Sequence, residues 1–301
     1  NGGSFQTENT FENLLAGDYE LIVRDANNCE TSETISISQP DAELSFTTTL
    51  TDVLCYGNAT GTIEITAIGG TAAYEYSIDN GGSFQAENLF ANLLAGDYEI
   101  IVRDANDCET SETVSISQPD SELSFTTSLT DVLCFGNAIG AIEITAIGGT
   151  VAYEYSIDNG ENFQTENLFE NLSAGDYEII VRDANDCETS EIVSISQPEA
   201  ELSFITNLTD VLCFGNTTGT IEITAIGGTA AYEYSIDNGG SFQTENLFEN
   251  LSAGDYEIIV RDANDCEVSE TVSILQPGAE LSFTTSFTDV LCFGNTTGAI
   301  E

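Results

Sequence analysis

Apolar and polar residues alternate along most of the chain, which is the pattern of β-strands with one buried face. In the segment 41–119, Ile63 and Ile65 alternate with Glu64 and Thr66. No window has the 3.6-residue spacing of an amphipathic helix. The alternation predicts an all-β protein with seven short strands in this segment, near residues 44–47, 63–67, 74–78, 84–85, 89–93, 98–102 and 114–116.

Short turns separate the predicted strands. The run 79–82 contains the Asn80-Gly81 step, which favours a hairpin because both residues tolerate a positive φ. Seven short strands separated by closely and regularly spaced turns indicate an immunoglobulin-like β-sandwich. Tyr98 follows an Ala-Gly-Asp turn, where such sandwiches place a corner tyrosine whose hydroxyl bonds nearby backbone.

The whole pattern recurs with a period of about 79 residues, as from Cys29 to Cys108 and from Cys55 to Cys134. Such a unit is long enough to fold as a small domain, and it is too long for the common solenoid periods. We therefore predict tandem immunoglobulin-like domains arranged end to end. The predicted units are a partial repeat 1–40, complete repeats 41–119, 120–198 and 199–277, and a partial repeat 278–301.

The ends of the units suggest how they are joined. Each complete repeat ends in a Gln-Pro step with little slack before the next strand, so the joints are expected to be semi-rigid. An odd number of strands lets the chain enter a repeat at one end and leave at the other. Because the chain begins and ends inside a repeat, we expect it to be part of a longer array.

The charge narrows the classes of partner. Asp and Glu number 52 against four arginines, with no lysine and no histidine, which gives a net charge of −48. Such a field repels nucleic acid and anionic membranes. The hydrophobic residues, 41% of the chain, are patterned, which argues against disorder, and no apolar run reaches the length that spans a bilayer. We expect neither nucleic-acid binding nor membrane insertion.

The composition also argues against catalysis. Histidine is the commonest acid–base catalyst and lysine serves Schiff-base chemistry, and both are missing. Paired carboxylates could hydrolyse glycosides, but every repeat carries the same ones. We predict that the chain is not an enzyme.

Calcium is the one cofactor for which the sequence offers ligands. The turn 104–107 supplies three side chains with oxygen donors in four residues, and calcium prefers oxygen ligands. The alternative is an ordinary turn in which Asp and Asn bond their own backbone, and the sequence leaves both open. The candidate metal ligands are Asp104, Asn106, Asp107, Asp183, Asn185, Asp186, Asp262, Asn264 and Asp265.

Two cysteines at fixed places in each repeat indicate disulfides and an oxidising compartment, since zinc would call for histidine or paired cysteines. Pairing across a linker (Cys29–Cys55) and pairing within a repeat (Cys55–Cys108) are both conceivable. In a sandwich, however, Cys55 and Cys108 fall at opposite ends, too far apart to bond. This topology favours bonds between successive repeats, Cys55–Cys187 and Cys134–Cys266. The disulfide candidates are Cys29, Cys55, Cys108, Cys134, Cys187, Cys213, Cys266 and Cys292.

Several segments of each repeat resemble the repeats of SprB-type gliding-motility adhesins. The segments are 55–58, 61–65, 69–70, 74–77, 92–98 and 102–108. The resemblance implies the structural repeat region of a secreted bacterial cell-surface filament or adhesin, exported by the type IX system and used for adhesion and gliding. The implied partners are neighbouring repeats, other copies in a fibre, and surface polysaccharide or other cells.

A multivalent array of calcium- or carbohydrate-binding modules is the alternative function. Carbohydrate binding would need an exposed aromatic platform. The tyrosines follow the strand pattern and are expected to be buried, which leaves Phe84 and Phe90 as candidates. Both are better explained as edge-strand residues that pack against the sandwich.

Overall fold

The computed structural model describes residues 4–301, and its regular structure is entirely β-strand in that range, as predicted. The first strands are β1 (Gly17–Arg24), β2 (Glu30–Ile37), β3 (Ser45–Thr51), β4 (Gly61–Ile68), β5 (Glu75–Ser77), β6 (Leu89–Leu93), β7 (Gly96–Arg103) and β8 (Glu109–Ile116). The next are β9 (Ser124–Thr130), β10 (Gly140–Ile147), β11 (Glu154–Ser156), β12 (Leu168–Leu172), β13 (Gly175–Arg182) and β14 (Glu188–Ile195). The last are β15 (Ser203–Thr209), β16 (Gly219–Ile226), β17 (Glu233–Ser235), β18 (Leu247–Leu251), β19 (Gly254–Arg261), β20 (Glu267–Ile274), β21 (Phe287–Thr288) and β22 (Ala299–Ile300).

Each complete repeat contains two three-stranded antiparallel sheets. In 41–119 the strand orders are β3-β4-β6 and β5-β7-β8, and the later repeats keep the same orders. The longest pairings join β3 to β4 and β7 to β8, the latter from Gly96↔Ile116 to Arg103↔Glu109. Two small sheets with this connectivity form the predicted immunoglobulin-like sandwich.

The core of repeat 41–119 lies between its two sheets. Ile63 and Ile65 of β4 and Ile100 and Val102 of β7 are fully buried and belong to one cluster. Their neighbours in sequence, such as Glu64, face solvent. The alternation that predicted the strands is therefore the alternation between core and surface. The cluster around Ile221 to Val260 repeats it in 199–277.

The predicted short strand at Phe84–Gln85 is not a strand, so this repeat has six strands and the prediction of seven was wrong. Only Gln85 pairs, through a single bridge to Tyr76. The Asp79 carboxylate holds the turn closed by accepting hydrogen bonds from Ser77 and Ser83, and the Gln85 side chain bonds the backbone that follows it. These local hydrogen bonds leave one residue free to join the sheet.

The chain nevertheless enters and leaves repeat 41–119 at opposite ends of β3. Near the start of β3, Gly70 donates its backbone N–H to Ala42. Just after its end, Val53 donates its N–H to the carbonyl of Ser117, where the repeat finishes. The single bridge at Gln85 marks a segment that reverses the chain as a seventh strand would.

The predicted tyrosine corner is confirmed. The hydroxyl of Tyr98 donates a hydrogen bond of 2.9 Å to the carbonyl of Leu94, four residues upstream. Tyr177 and Tyr256 make the equivalent bonds, at 2.8 and 2.9 Å. The hydroxyl fixes the chain where it passes from β6 into the other sheet at β7.

Replacing Tyr98 with phenylalanine tests the value of this corner. We expect Tyr98→Phe to lower the free energy of unfolding by about 1 kcal/mol, because it removes one hydrogen bond and leaves the ring in place. Urea denaturation of the variant measures the change. Tyr56→Phe, at an exposed position, is the matched control, and an equal loss there would contradict the corner's role.

The chain forms two compact units that do not coincide with the repeats. The first consists of residues 1–124, 147–152 and 183–187, and the second of 125–146, 153–182 and 188–301. The repeat boundaries inferred from sequence stay a prediction. Within residues 4–301, no helix is long and apolar enough to cross a membrane.

Candidate functional site: a disulfide-linked contact between successive repeats

Two cysteine pairs connect successive repeats, and each pair lies inside one of the compact units. Cys55 is bonded to Cys187 and Cys134 to Cys266, with Cα–Cα distances of 5.6 and 5.7 Å. These are the two pairs that the sequence predicted, and both span 132 residues. Two segments of each repeat build the contact: a loop after the first strand and a turn before the last.

The cysteine loop (residues 52–58, 131–137 and 210–216) is tied to the end of its own repeat. The Asp52 carboxylate accepts the N–H of Ser117 at 2.8 Å, and hydrogen bonds from Ser117 lower the pKa of Asp52. Gly57 donates its N–H to the Gln118 side chain at 2.9 Å. The hydrogen-bonded loop therefore holds Cys55 beside the point where the chain leaves the repeat.

The aspartate turn (residues 104–108, 183–187 and 262–266) is organised by one buried carboxylate. Asp183 Oδ1 accepts the N–H groups of Asn185 and Cys187, and Oδ2 accepts that of Thr150. Asp104 makes the same three bonds in the preceding repeat, and only 4% of its surface is exposed. Because both carboxylate oxygens bond backbone, the second cysteine of each repeat is presented in a fixed position.

An asparagine of the aspartate turn reaches the cysteine loop of the preceding repeat. Asn185 Nδ2 donates to the carbonyl of Leu54 at 3.0 Å and to Thr150 Oγ1 at 3.0 Å. Asn264 Nδ2 bonds Leu133 in the same way, at 3.1 Å. A side-chain hydrogen bond thus accompanies each disulfide. Sequence reasoning missed this role, although the asparagine recurs with the period of the repeats.

The four other cysteines are not in disulfides within the described residues. Cys29, Cys108, Cys213 and Cys292 are all exposed. The negative charge of Asp104, followed by desolvation, raises the pKa of the Cys108 thiol. A raised pKa lowers the fraction of the reactive thiolate at a given pH.

The candidate calcium ligands are close together in sequence, but the oxygens of the first aspartate of each turn already bond backbone. The Asp104 carboxylate accepts three backbone N–H groups, and Asn106 Nδ2 bonds Thr71 Oγ1. The same geometry recurs at Asp183 and Asp262. Residues 4–301 contain no group of three or more acidic, histidine or cysteine side chains placed to hold a metal. Calcium binding stays a prediction.

Each arginine forms an ion pair with a nearby glutamate. Arg103 Nη2 lies 2.7 Å from Glu109 Oε1, and its guanidinium stacks on Phe84 at 3.9 Å from the ring centroid. Arg261 pairs with Glu267 and stacks on Phe242 in the same manner. Phe84 therefore packs against Arg103 and does not lie in the edge strand that was predicted for it. Phe90 packs against the core.

Asp79 is the most strongly perturbed carboxylate of its repeat. Hydrogen bonds from Ser77 and Ser83 lower its pKa from 3.8 to about 2, and Asp158 and Asp237 are lowered as far. In the unfolded chain this carboxylate takes up its proton near its usual value. Its stabilising contribution is therefore complete above about pH 4 and is lost as the pH falls through 2.

We expect the Asp79→Asn variant to lose less stability on acidification than the native chain. Asparagine carries no titrating group, so the variant lacks the loss between about pH 4 and pH 2 that this carboxylate causes. Urea midpoints at pH 5 and pH 2.5 measure the difference. Asp41→Asn, at an exposed residue near the start of the repeat, is the control. If the urea midpoint fell by the same amount between pH 5 and pH 2.5 in Asp79→Asn and in the native chain, the prediction would be contradicted.

Comparison with protein families gives three matches in the chain, all to the SprB repeat. The matched residues are 47–83, 126–162 and 205–241, which recur with the period of the sequence. The chain carries three SprB repeats. The family match includes the cysteine loops of the SprB repeats at Cys55, Cys134 and Cys213, while the aspartate turns lie outside it.

No curated protein matches the chain. The solved structures similar to it include the N-terminal eight Ig domains of Down Syndrome Cell Adhesion Molecule, with 9% identity and a TM-score of 0.35 over 87% of this chain and 40% of that one. The human Desmocollin-1 ectodomain has 12% identity and a TM-score of 0.26, over 86% and 65%. Surface layer protein SbsC, domains 4–9, has 12% identity and a TM-score of 0.22, over 83% and 49%. The chain spans less than two thirds of each.

Proposed function

We propose that this chain is the structural repeat region of a secreted bacterial cell-surface filament or adhesin. The observation that supports it most is the repeated linkage of one SprB repeat to the next by the same disulfide and the same asparagine hydrogen bond. Because the linkage recurs with the sequence period, it joins each repeat to the next in the same way. An array of any number of repeats can be built by adding further units. Length and stiffness are then the function itself.

The family and the disulfides support a location outside the cell. Disulfides persist in oxidising environments, and secreted proteins use them to stabilise small domains. Export by the type IX system and a role in gliding motility follow from the family resemblance and belong to the proposal. Its partners are neighbouring repeats, other copies in a fibre, and surface polysaccharide or other cells. No enzymatic activity is proposed, since histidine and lysine are missing from the sequence.

Electron microscopy of the oxidised chain tests the filament proposal. Thin rods of regular width, made of beads with one period, are the expected result. Compact globules without an extended axis would contradict it. The same images after reduction are the control, because a chain that loses its interrepeat disulfides should show more variable bending between beads.

A multivalent carbohydrate-binding array is the second candidate, and one observation favours it. Each cysteine loop exposes an aromatic side chain beside its cysteine: Tyr56 at 45%, Phe135 at 41% and Phe214 at 46%. Together with Phe293, which follows Cys292 and is also exposed, these four equivalent rings could stack on sugars and gain avidity from their number. Retention of the chain on immobilised polysaccharide, abolished when all four become alanine, would support this function. Equal retention of that variant would remove it.

The calcium hypothesis has a direct thermal test. A ligand that binds only the folded chain raises its stability with increasing free concentration. If calcium binds at the aspartate turns, a chelator lowers Tm, and added calcium restores it where magnesium does not. An unchanged Tm leaves Asp104 and its equivalents with the backbone hydrogen bonds described above as their whole role.

A further inference from the structure

The two disulfides of the chain are interleaved. Cys134 lies between Cys55 and Cys187 in sequence, and Cys187 lies between Cys134 and Cys266. The covalent loop closed by the first disulfide therefore overlaps the loop closed by the second. This arrangement follows from bonding each repeat to the next one, since two bonds within single repeats would close separate loops.

Interleaving shortens the covalent path through the chain. Without disulfides, about 211 residues separate Cys55 from Cys266. With both disulfides, the shortest path crosses from Cys55 to Cys187, follows about 53 residues back to Cys134 and crosses to Cys266. The two segments on either side, 55–134 and 187–266, lie off that path.

We propose that the interrepeat disulfides give the chain a mechanical function, as a tether whose extension has a covalent limit. Pulling on both ends can unfold strands, but it cannot lengthen the chain beyond the shortest covalent path. A fully extended residue spans about 3.4 Å, so the disulfides shorten the maximum extension between Cys55 and Cys266 by about 540 Å. This inference deepens the proposed filament function, on which its biological meaning rests.

The hydrogen bonds around each disulfide suit it to carry load. Cys55 sits in a loop hydrogen-bonded to Ser117 and Gln118, so the cysteine is anchored at the end where the repeat finishes. On the other side, the Asp183 carboxylate bonds the N–H of Cys187. Strands β4 to β8, which supply most of the core of the first complete repeat, lie in the segment 55–134, off the shortest covalent path.

Single-molecule force spectroscopy of the full chain, held by handles at both ends, tests the limit. The four unpaired cysteines, Cys29, Cys108, Cys213 and Cys292, are first replaced by serine so that only the two disulfides can form. On reduction, the contour length of the fully unfolded chain should increase by about 158 residues, the difference between the two covalent paths. Unfolded contour length depends only on connectivity, so a variant that folds poorly still reports it.

Variants with two remaining cysteines identify the bonded partners. With Cys134→Ser and Cys266→Ser added, reduction should release about 132 residues, the span of the remaining disulfide. With Cys187→Ser and Cys266→Ser added instead, Cys55 and Cys134 have lost their partners, and reduction should release nothing. An increase in contour length on reduction of that variant would show that Cys55 bonds Cys134. The two disulfide loops would then follow one another along the chain without overlapping, and the inference would be overturned.

The variant that keeps Cys55, Cys134, Cys187 and Cys266 can also contradict the inference through the contour length gained on reduction. A gain of about 53 residues, as from a Cys134–Cys187 bond within one repeat, would overturn the inference, as would no gain. These outcomes are independent of the filament proposal. Compact particles in electron microscopy together with a contour-length gain of about 158 residues would contradict the filament proposal and support the covalent limit. Rods together with a gain of about 53 residues would retain the filament and remove the limit.

Discussion

Replacing Cys55 with serine is expected to lower the free energy of unfolding by about 4–5 kcal/mol, the contribution that the chain-entropy model gives a loop of this length. The disulfide to Cys187 closes a loop of 132 residues. The loss comes mainly from the unfolded chain, which gains conformations when the cross-link is removed. The Asn185–Leu54 hydrogen bond also loses its covalent support.

Cys108→Ser is the matched control for this prediction. It occupies the same position in its own repeat as Cys187, yet it has no disulfide in this chain. In urea denaturation under oxidising conditions, Cys108→Ser should have the same free energy of unfolding as the native chain. That of Cys55→Ser should be well below both. In excess reductant the three curves should converge. An equal loss in both variants would mean that Cys108, not Cys187, is the partner of Cys55.

The second large effect is expected in the core. Ile65→Ala should cost about 3–4 kcal/mol, because it removes three buried carbons and leaves a cavity between the two sheets. Ile65 is fully buried, whereas Ile68, on the same strand β4, is 48% exposed. Ile68→Ala is therefore a control with identical chemistry, and its cost should stay below about 1 kcal/mol.

The shape of the unfolding curve for Ile65→Ala also tests the repeat boundaries. If each complete repeat folds as its own domain, the variant should melt in two steps, the first belonging to repeat 41–119 alone. Differential scanning calorimetry resolves such steps. A single transition shifted as a whole would show that the repeats unfold together, and the predicted division of the chain into domains would then be wrong.

The sequence was informative wherever burial imposes a period on it. Ile63, Ile65, Ile100 and Val102 occur at every second position because their strands have one face in the core, so the strands could be placed from the pattern. The failure at Phe84–Gln85 has a local cause. Side-chain hydrogen bonds close the turn around Asp79, and β-propensity contains no information about them.

Of the candidate site, only the disulfide pairing could be predicted, because it depends on the distance between the two ends of a sandwich. Opposite ends of a sandwich are too far apart for a disulfide, which was enough to direct Cys55 to the next repeat. The hydrogen bond from Asn185 to Leu54 has no comparable signature, since it joins a common turn residue to a backbone carbonyl 131 positions away. The exposed ring of Tyr56 was missed because its sequence neighbours do not mark it as solvent-facing.

The spacing of the bonded cysteines has a consequence for how the chain matures. A chain made from its N-terminus presents Cys55 long before Cys187, and Cys108 is a possible partner that emerges in between. Folding of repeat 41–119 moves Cys108 to the far end of the sandwich and so protects Cys55 from this wrong bond. The correct bond then has to wait until the next repeat has folded its aspartate turn. We therefore expect the Cys55–Cys187 bond to form after both repeats have folded.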